Sequence, residues 1–260
     1  MLFYHTHLNT DLRTEDLLKT YQYRDLSIIE LPSSLLVTAC DSSGGVGEKP
    51  GDELSVPTKY IAIFAARVCL FELLSCGAQI IGVSNTIAGE MHPTGEALIQ
   101  GIHEELERAG IKELPINGST EENFKTSMTG FGIFVMGMTD RLRITPSLPG
   151  DLIICIGRPK FGAALIVDGD PEIANYDDLQ ILTENSEVNE IVPCGSKGIL
   201  YEALNLAAIY NLHFESTLTD LNIYDSAGPA TTIIASIKPQ ATAGLVSHFD
   251  SKLTIIGYLN

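Results

Sequence analysis

The stretch from Pro57 to Gly77, "PTKYIAIFAARVCLFELLSCG", constrains the fold more than any other. Proline at its start and glycine just past its end punctuate a helix. The residues between are apolar nearly all round, and a helix without a polar face has to be well buried. Three of its charges can be placed by geometry. At about 100° per residue Glu72 lies about 140° from both Arg67 and Lys59, while those two share a side within about 80°. A carboxylate away from the polar side of such a helix must reach solvent at the helix end, find a hydrogen-bond donor or face a cation.

Around this helix the chain alternates strand and helix signals. A short capped helix is expected over Thr14–Tyr21. A β-hairpin follows, from "LSIIEL" and "SSLLVTAC" joined at Pro32. After the long helix come a strand at "QIIGVSNTIA", a helix capped by Thr94 and stopped by Gly110, and a long strand at "TSMTGFGIFVMGMT". "TPSLPGD", with two prolines and a glycine, marks a boundary, dividing the chain into residues 1–148 and 149–260. Beyond it lie a strand at "LIICIG", a helix at "SKGILYEALNLAAIYN" and strands around "TLTDLNIY", "TTIIASIK" and "KLTIIGYL". The fold class is α+β, in two units, as a length of 260 residues allows.

Apolar residues at 45% and charged residues at 19% suit a packed core. The N-terminus lacks a signal-peptide pattern and the long apolar run is broken by charges, so a cytoplasmic protein is expected. Five scattered cysteines without a C-x-x-C pair indicate neither disulfides nor a zinc site. The net charge of −17 argues against nucleic acid or an anionic membrane as partner. An anionic ligand would need local Lys groups, backbone N–H donors or a divalent cation.

Four polar segments stand out. "DSSGGVGEK" places Asp41 at a strand end, followed by Gly44, Gly45, Gly47 and Lys49, but it fits neither the Walker spacing nor G-x-G-x-x-G. "INGSTEENF" groups Asn117, Ser119, Thr120, Glu121 and Glu122, an oxygen-rich set suited to a hard cation such as magnesium. "SNTIAGEMHPTGE" carries Asn85, Thr86 and Glu90 at a strand end leading into a helix, where ligands often bind. Gly195, Ser196 and Lys197 precede a helix and offer an anion pocket. No G-x-S-x-G or H-E-x-x-H motif is present.

In order, "CDSSGGVGEK", "FELLSCGAQ", "GVSNTIAGEMHPTG", "INGSTEENF" and "PGDLIICIGRPKFG" resemble the superfamily of aminoimidazole ribonucleotide synthetase, selenophosphate synthetase, thiamine-monophosphate kinase and the hydrogenase-maturation dehydratase, over about two thirds of the chain. The resemblance implies a two-domain fold whose N-terminal sheets pair in a homodimer, binding ATP with Mg2+. Asp41 would then take the role of a metal or phosphate-loop carboxylate, Glu72 that of the helix aspartate, and Ser119 to Glu122 that of the later metal loop. Asp41, Glu72 and Glu122 become the catalytic candidates, and Asp41, Glu72, Glu121 and Glu122 the metal candidates. Gly44, Gly45, Gly47, Lys49, Asn117, Ser119 and Thr120 would hold the nucleotide, and Asn85, Thr86, Glu90, Ser196 and Lys197 the substrate. Phe71 stands where the family has Asn, and Glu72 is longer than Asp.

With "ACDS", "STEENF" and "CGSKGI", the chain looks most like the short members that phosphorylate alpha-ribazole, a riboside, in cobalamin salvage. The alternatives are an ATP-dependent synthetase or dehydratase of the same superfamily, and a non-catalytic nucleotide-binding protein.

Overall fold

The computed structural model describes residues 18–167 and 169–260. Its first half runs β1 (Thr20–Tyr23), β2 (Leu26–Glu30), β3 (Leu35–Gly44), two short strands β4 (Val46–Gly47) and β5 (Leu54–Ser55), helix α1 (Lys59–Ser75), β6 (Gln79–Ile87), α2 (Glu96–Arg108), β7 (Ile116–Thr120) and β8 (Gly130–Thr139). Its second half runs β9 (Leu152–Ile156), α3 (Tyr176–Glu184), β10 (Val188–Pro193), α4 (Ile199–Ile209), β11 (Phe214–Ser216), β12 (Ile233–Ile237), α5 (Thr242–Phe249) and β13 (Leu253–Leu259). A six-stranded sheet ordered β1-β2-β3-β8-β6-β7 holds the first half and a five-stranded sheet ordered β10-β12-β9-β13-β11 the second. β6 and β7 pair in parallel; the other ladders of the two large sheets are antiparallel.

Helix α1 lies between the two sheets, which is why it has no polar face. On one side Ile61, Ala62, Ala65, Cys69 and Leu73 pack with Val37, Ala39, Ile133 and Val135 of β3 and β8. On the other, Phe71 enters the second core with Ile154, Ile156 and Leu182. Its ring is fully buried, so truncation to Ala would cost about 3–5 kcal/mol. The continuous apolar run of β9 has a similar origin, since both faces of that strand are covered. Ile154 and Ile156 face the core that holds α3 and α5, and Ile153 and Cys155 face α4.

The two sides of α1 carry different charges, as the angular placement requires. Lys59 pairs with Glu104 at 2.9 Å, and Arg67 lies 3.8 Å from Glu105 on the same helix, α2. Arg67 also donates to the carbonyls of Ala174 and Ala230 in the second half. Glu72 takes the second option open to it and meets the Arg24 guanidinium at 2.7 Å.

Several expected elements differ. Thr14–Tyr21 is not a helix where it is described: residues 14–17 lie outside the described residues, and Thr20 and Tyr21 form β1, pairing with Ile29 and Ile28. The segment "INGST" is itself strand β7, because its backbone completes the ladder of β6. Thr94 does not cap α2. A π turn over Met91–Gly95 precedes that helix, and the Thr94 hydroxyl donates to Glu90 Oε1 at 2.5 Å. The strand expected at "TLTDLNIY" falls earlier, at Phe214–Ser216, where it pairs with β13.

Candidate functional site

Tyr60, Phe64, Val68 and Glu72 recur every four residues on α1 and so form one stripe. That stripe is a wall of a cleft of about 620 Å³ between the two halves. Facing it are the end of β3 (Asp41, Ser42, Ser43), the turn at Gly162–Ile166, the loop at Gly195–Ser196 and Gly228–Pro229. One end is apolar, with Tyr60 and Phe64 stacked at 6.4 Å between ring centroids. The polar end carries Asp25, Asp41 and Glu72, and the described lining contains no Lys or Arg. Asp41 follows Val37 and Ala39 at strand period 2 and shares their face of β3. It is half-buried, and burial pushes its carboxyl up against the opposing hydrogen bond of the Ser42 backbone.

A second cavity, of about 580 Å³, adjoins the first, because Asp25, Gly195 and Ser196 line both. It lies between α4 and the turn linking β1 to β2. At that turn Arg24 adopts a left-handed backbone, φ 52°, which carries its side chain into the second half of the chain. Its guanidinium donates to Glu72 Oε2 (2.7 Å), Glu190 Oε1 (3.2 Å) and the Ile191 carbonyl (2.8 Å). Tyr23 and Tyr210 each donate to Glu190 at 2.6 Å. Burial pushes the Glu72 carboxyl up, and Arg24 pulls against it.

Across this cavity α4 presents Tyr201, Glu202 and Asn205. Burial, with Asp25 and Glu72 nearby, pushes the Glu202 carboxyl up to about 7 against the pull of Arg24 and Lys197. The loop before α4 turns at Gly198, φ 86°. A Cβ there would stand 2.6 Å from the Asp225 carbonyl, so glycine is required.

The structure divides the residues nominated from sequence. Asp41, Glu72 and Ser196 line the inter-sheet cleft, and Lys197 lines its neighbour. Asn85, Asn117, Ser119 and Thr120 line a separate cavity of about 440 Å³, beside Ile99 and His103 of α2. The Asn85 amide is buried and donates to the Asn117 carbonyl at 3.0 Å. Thr86 is exposed and belongs to none of the three cavities.

The glycine segment is occupied by internal bonds. Gly44 ends β3, Gly45 N–H donates to Thr129 O at 2.9 Å, and Gly47 packs on Thr129 and Asp52. Lys49 Nζ is spent on Glu90 (2.7 Å) and Thr126 (2.7 Å), so a residue expected at phosphate and one expected at the riboside instead pair with each other. The Lys49 and Thr94 bonds hold the Glu90 carboxyl down to about 2.

Glu121 and Glu122 are also engaged locally. Glu121 accepts from Asn123 N (2.7 Å), and Glu122 from Met91 N (2.9 Å). They follow β7, three strands from β3 in the sheet order, which places them about 14 Å sideways from Asp41's strand. Among the described residues no three His, Cys, Asp or Glu side chains converge to hold a metal ion. The expected magnesium set of Asp41, Glu72, Glu121 and Glu122 therefore does not assemble within the chain, and no chemical step is assigned to it.

Arg24, Asp25 and Glu202 escaped the sequence reading. Glu202 carries the signal that singled out Glu72, a carboxylate alone on an apolar helix, "ILYEALNLAAI".

No family model matches the chain, and no curated protein matches it significantly. Solved structures do. The thiamine-monophosphate kinase of Aquifex aeolicus superposes with a TM-score of 0.65 at 13% identity, over 92% of this chain and 89% of that one. The chain has the thiamine-monophosphate kinase fold. The same fold appears in AaThiL complexed with AMPPCP and TMP (TM-score 0.61, 14% identity, 91% of this chain and 84% of that one). It also appears in Thermotoga maritima PurL complexed with ATP (TM-score 0.59, 13% identity). There the match covers 91% of this chain and 37% of the longer PurL chain.

Proposed function

We propose that the protein is an ATP-dependent phosphotransferase acting on a small hydroxylated acceptor, with alpha-ribazole the acceptor favoured by the sequence resemblance. The observation that carries this reading is the inter-sheet cleft. Its volume of about 620 Å³ suits a nucleotide, and proteins of the same fold have been seen with ATP and with AMPPCP. The stacked Tyr60 and Phe64 offer an apolar platform for a base. Ser43 and Ser196 line the polar end, where their hydroxyls can donate to phosphate oxygens. Positioning and exclusion of water between the two halves supply the catalysis that phosphoryl transfer mainly needs.

The homodimer belongs to the same proposal. Phe134 is 40% exposed on the outward face of the six-stranded sheet. It pairs there with Cys40 and Ser84, in a row flanked by Met136. A second copy covering this face would bury an apolar row that the chain leaves open; helix α1, by contrast, is covered from within. Among the described residues no helix is long and apolar enough to cross a membrane.

The scattering of Asp41, Glu72, Glu121 and Glu122 favours a second reading, a nucleotide-binding protein without transfer activity. Measuring ADP release and riboside monophosphate from ATP and alpha-ribazole separates the two. Asp41→Asn removes a carboxylate from the polar end of the cleft and should lower turnover without lowering the circular dichroism melting temperature. A variant as active as wild type would reduce Asp41 to a structural residue at the end of β3.

A further inference from the structure

We propose that the cavity between α4 and the Arg24–Asp25 turn is the acceptor site, that it selects a neutral nucleoside, and that Glu202 takes the proton from the acceptor hydroxyl. This rests on the phosphotransferase reading of the adjoining cleft.

Connection comes first. Group transfer requires donor and acceptor to meet, and Asp25, Gly195 and Ser196 form a border that the two cavities share. At about 580 Å³ the second cavity has room for a ligand of nucleoside size.

Charge then selects the ligand. Arg24 lines the cavity, but its guanidinium is spent on Glu72, Glu190 and the Ile191 carbonyl. What remains is Asp25 and Glu202 against one cation, Lys197, which lies over the Tyr201 ring at 4.3 Å and donates to its hydroxyl. ATP would enter the acidic cleft as its magnesium complex, whereas an acceptor phosphate brings no cation of its own, so two carboxylates against one ammonium disfavour it and leave a neutral, hydroxyl-bearing acceptor unopposed. Val192, Leu206 and Ile209 supply apolar surface for its heterocycle.

Glu202 is placed to do the proton transfer. It sits on the wall of the cavity in the first turn of α4, half-buried, and no described residue hydrogen-bonds its carboxylate. The charged groups facing it are Asp25 and Glu72, which hinder its ionisation, and Arg24 and Lys197, which favour it. In the step, the acceptor hydroxyl oxygen forms a bond to the γ-phosphorus while the bond from that phosphorus to the β–γ bridging oxygen breaks. ADP leaves with the bond electrons, and the hydroxyl proton passes to a Glu202 carboxylate oxygen and then to water. A base ionising near neutrality suits such a transfer.

The test uses the whole chain and two ligands, AMPPCP for the cleft and alpha-ribazole for the acceptor cavity, each titrated calorimetrically. Ala208→Trp, on the exposed wall of the cavity, should weaken alpha-ribazole binding at least tenfold and leave AMPPCP binding within twofold. Asn205→Trp replaces it if the first variant fails to fold. Wild-type kcat should rise with pH through about 7, and Glu202→Gln should lower kcat about 100-fold and remove that rise. Thiamine monophosphate should bind more weakly than alpha-ribazole.

Unchanged alpha-ribazole binding in the Trp variants, a Glu202→Gln enzyme that keeps the rise with pH, or a wild type that binds neither alpha-ribazole nor adenosine would overturn the assignment. Failure of the wild type to bind AMPPCP would instead overturn the phosphotransferase reading, and this assignment with it.

Discussion

Replacing Glu202 with Gln should make the protein more stable at alkaline pH and change it little at pH 5. In the folded chain the Glu202 carboxyl is pushed from its ordinary value near 4.5 up to about 7. Below about pH 4.5 it is protonated whether the chain is folded or not, and it costs nothing. Between the two values the unfolded chain releases the proton and the native one retains it, so wild-type stability falls as pH rises and levels off above about pH 7. At about 1.4 kcal/mol per pH unit the full displacement corresponds to roughly 3 kcal/mol. The cavity is open to water on one side, and screening reduces this to about 1–2 kcal/mol. Gln keeps the shape without the charge, so at pH 8.5 the variant should gain that amount, or about 2–5 °C in Tm. Urea denaturation at pH 5 and 8.5 measures both limbs. A gain of equal size at the two pH values, or no gain at pH 8.5, would refute the assignment of Glu202 to a half-desolvated, acid-lined cavity. A variant that is more stable yet inactive would mark the group as kept for function.

Arg24→Leu should destabilise the chain by about 3–5 kcal/mol in urea denaturation, since Glu72 and Glu190 would be left buried without their guanidinium. Lys49→Ala should cost no more than about 1 kcal/mol, because Glu90 is partly exposed. Glu90 is held down to about 2 in the folded chain, so wild type should lose this contribution as pH falls from about 4.5 toward 2, and the variant should lose less of it. Phe134→Glu should convert a dimer to a monomer by size-exclusion chromatography with light scattering; a wild type that is already monomeric on dilution would refute the pairing of sheets.

Much of the fold is legible where local and tertiary signals agree. Pro57 and Gly77 bracket α1, and Pro32 turns the β2–β3 hairpin, whose register joins Glu30 to Leu35. Strand β10 was not legible, because "VNEIVP" contains two polar residues that would ordinarily mark a surface. All six residues are buried, with Asn189 donating to Asp151 at 2.7 Å and Glu190 meeting Arg24 and two tyrosines. Those partners lie far away in the chain, and no local pattern encodes them. The glycine segment after Asp41 misled for a related reason. Its composition fits a ligand loop, but the Asp52 carboxylate accepts from Thr129 N at 2.7 Å and Thr129 Oγ1 at 2.8 Å, which draws the segment onto the start of β8.

Sequence by itself determined that α1 would be buried on every side, that Glu72 would need a partner away from Lys59 and Arg67, and that Asp41 would stand at the end of a strand. These follow from the 3.6-residue and 2-residue periods and from the cost of burying an unpaired charge. Tertiary structure decided which polar groups meet. It gave Glu72 to Arg24 and Lys49 to Glu90, kept Glu121 and Glu122 three strands from β3, and brought Asp25 and Glu202 to one cavity. Side-chain pairing across sheets depends on strand order and on how two halves close over a helix, and both are set by contacts between residues distant in the chain.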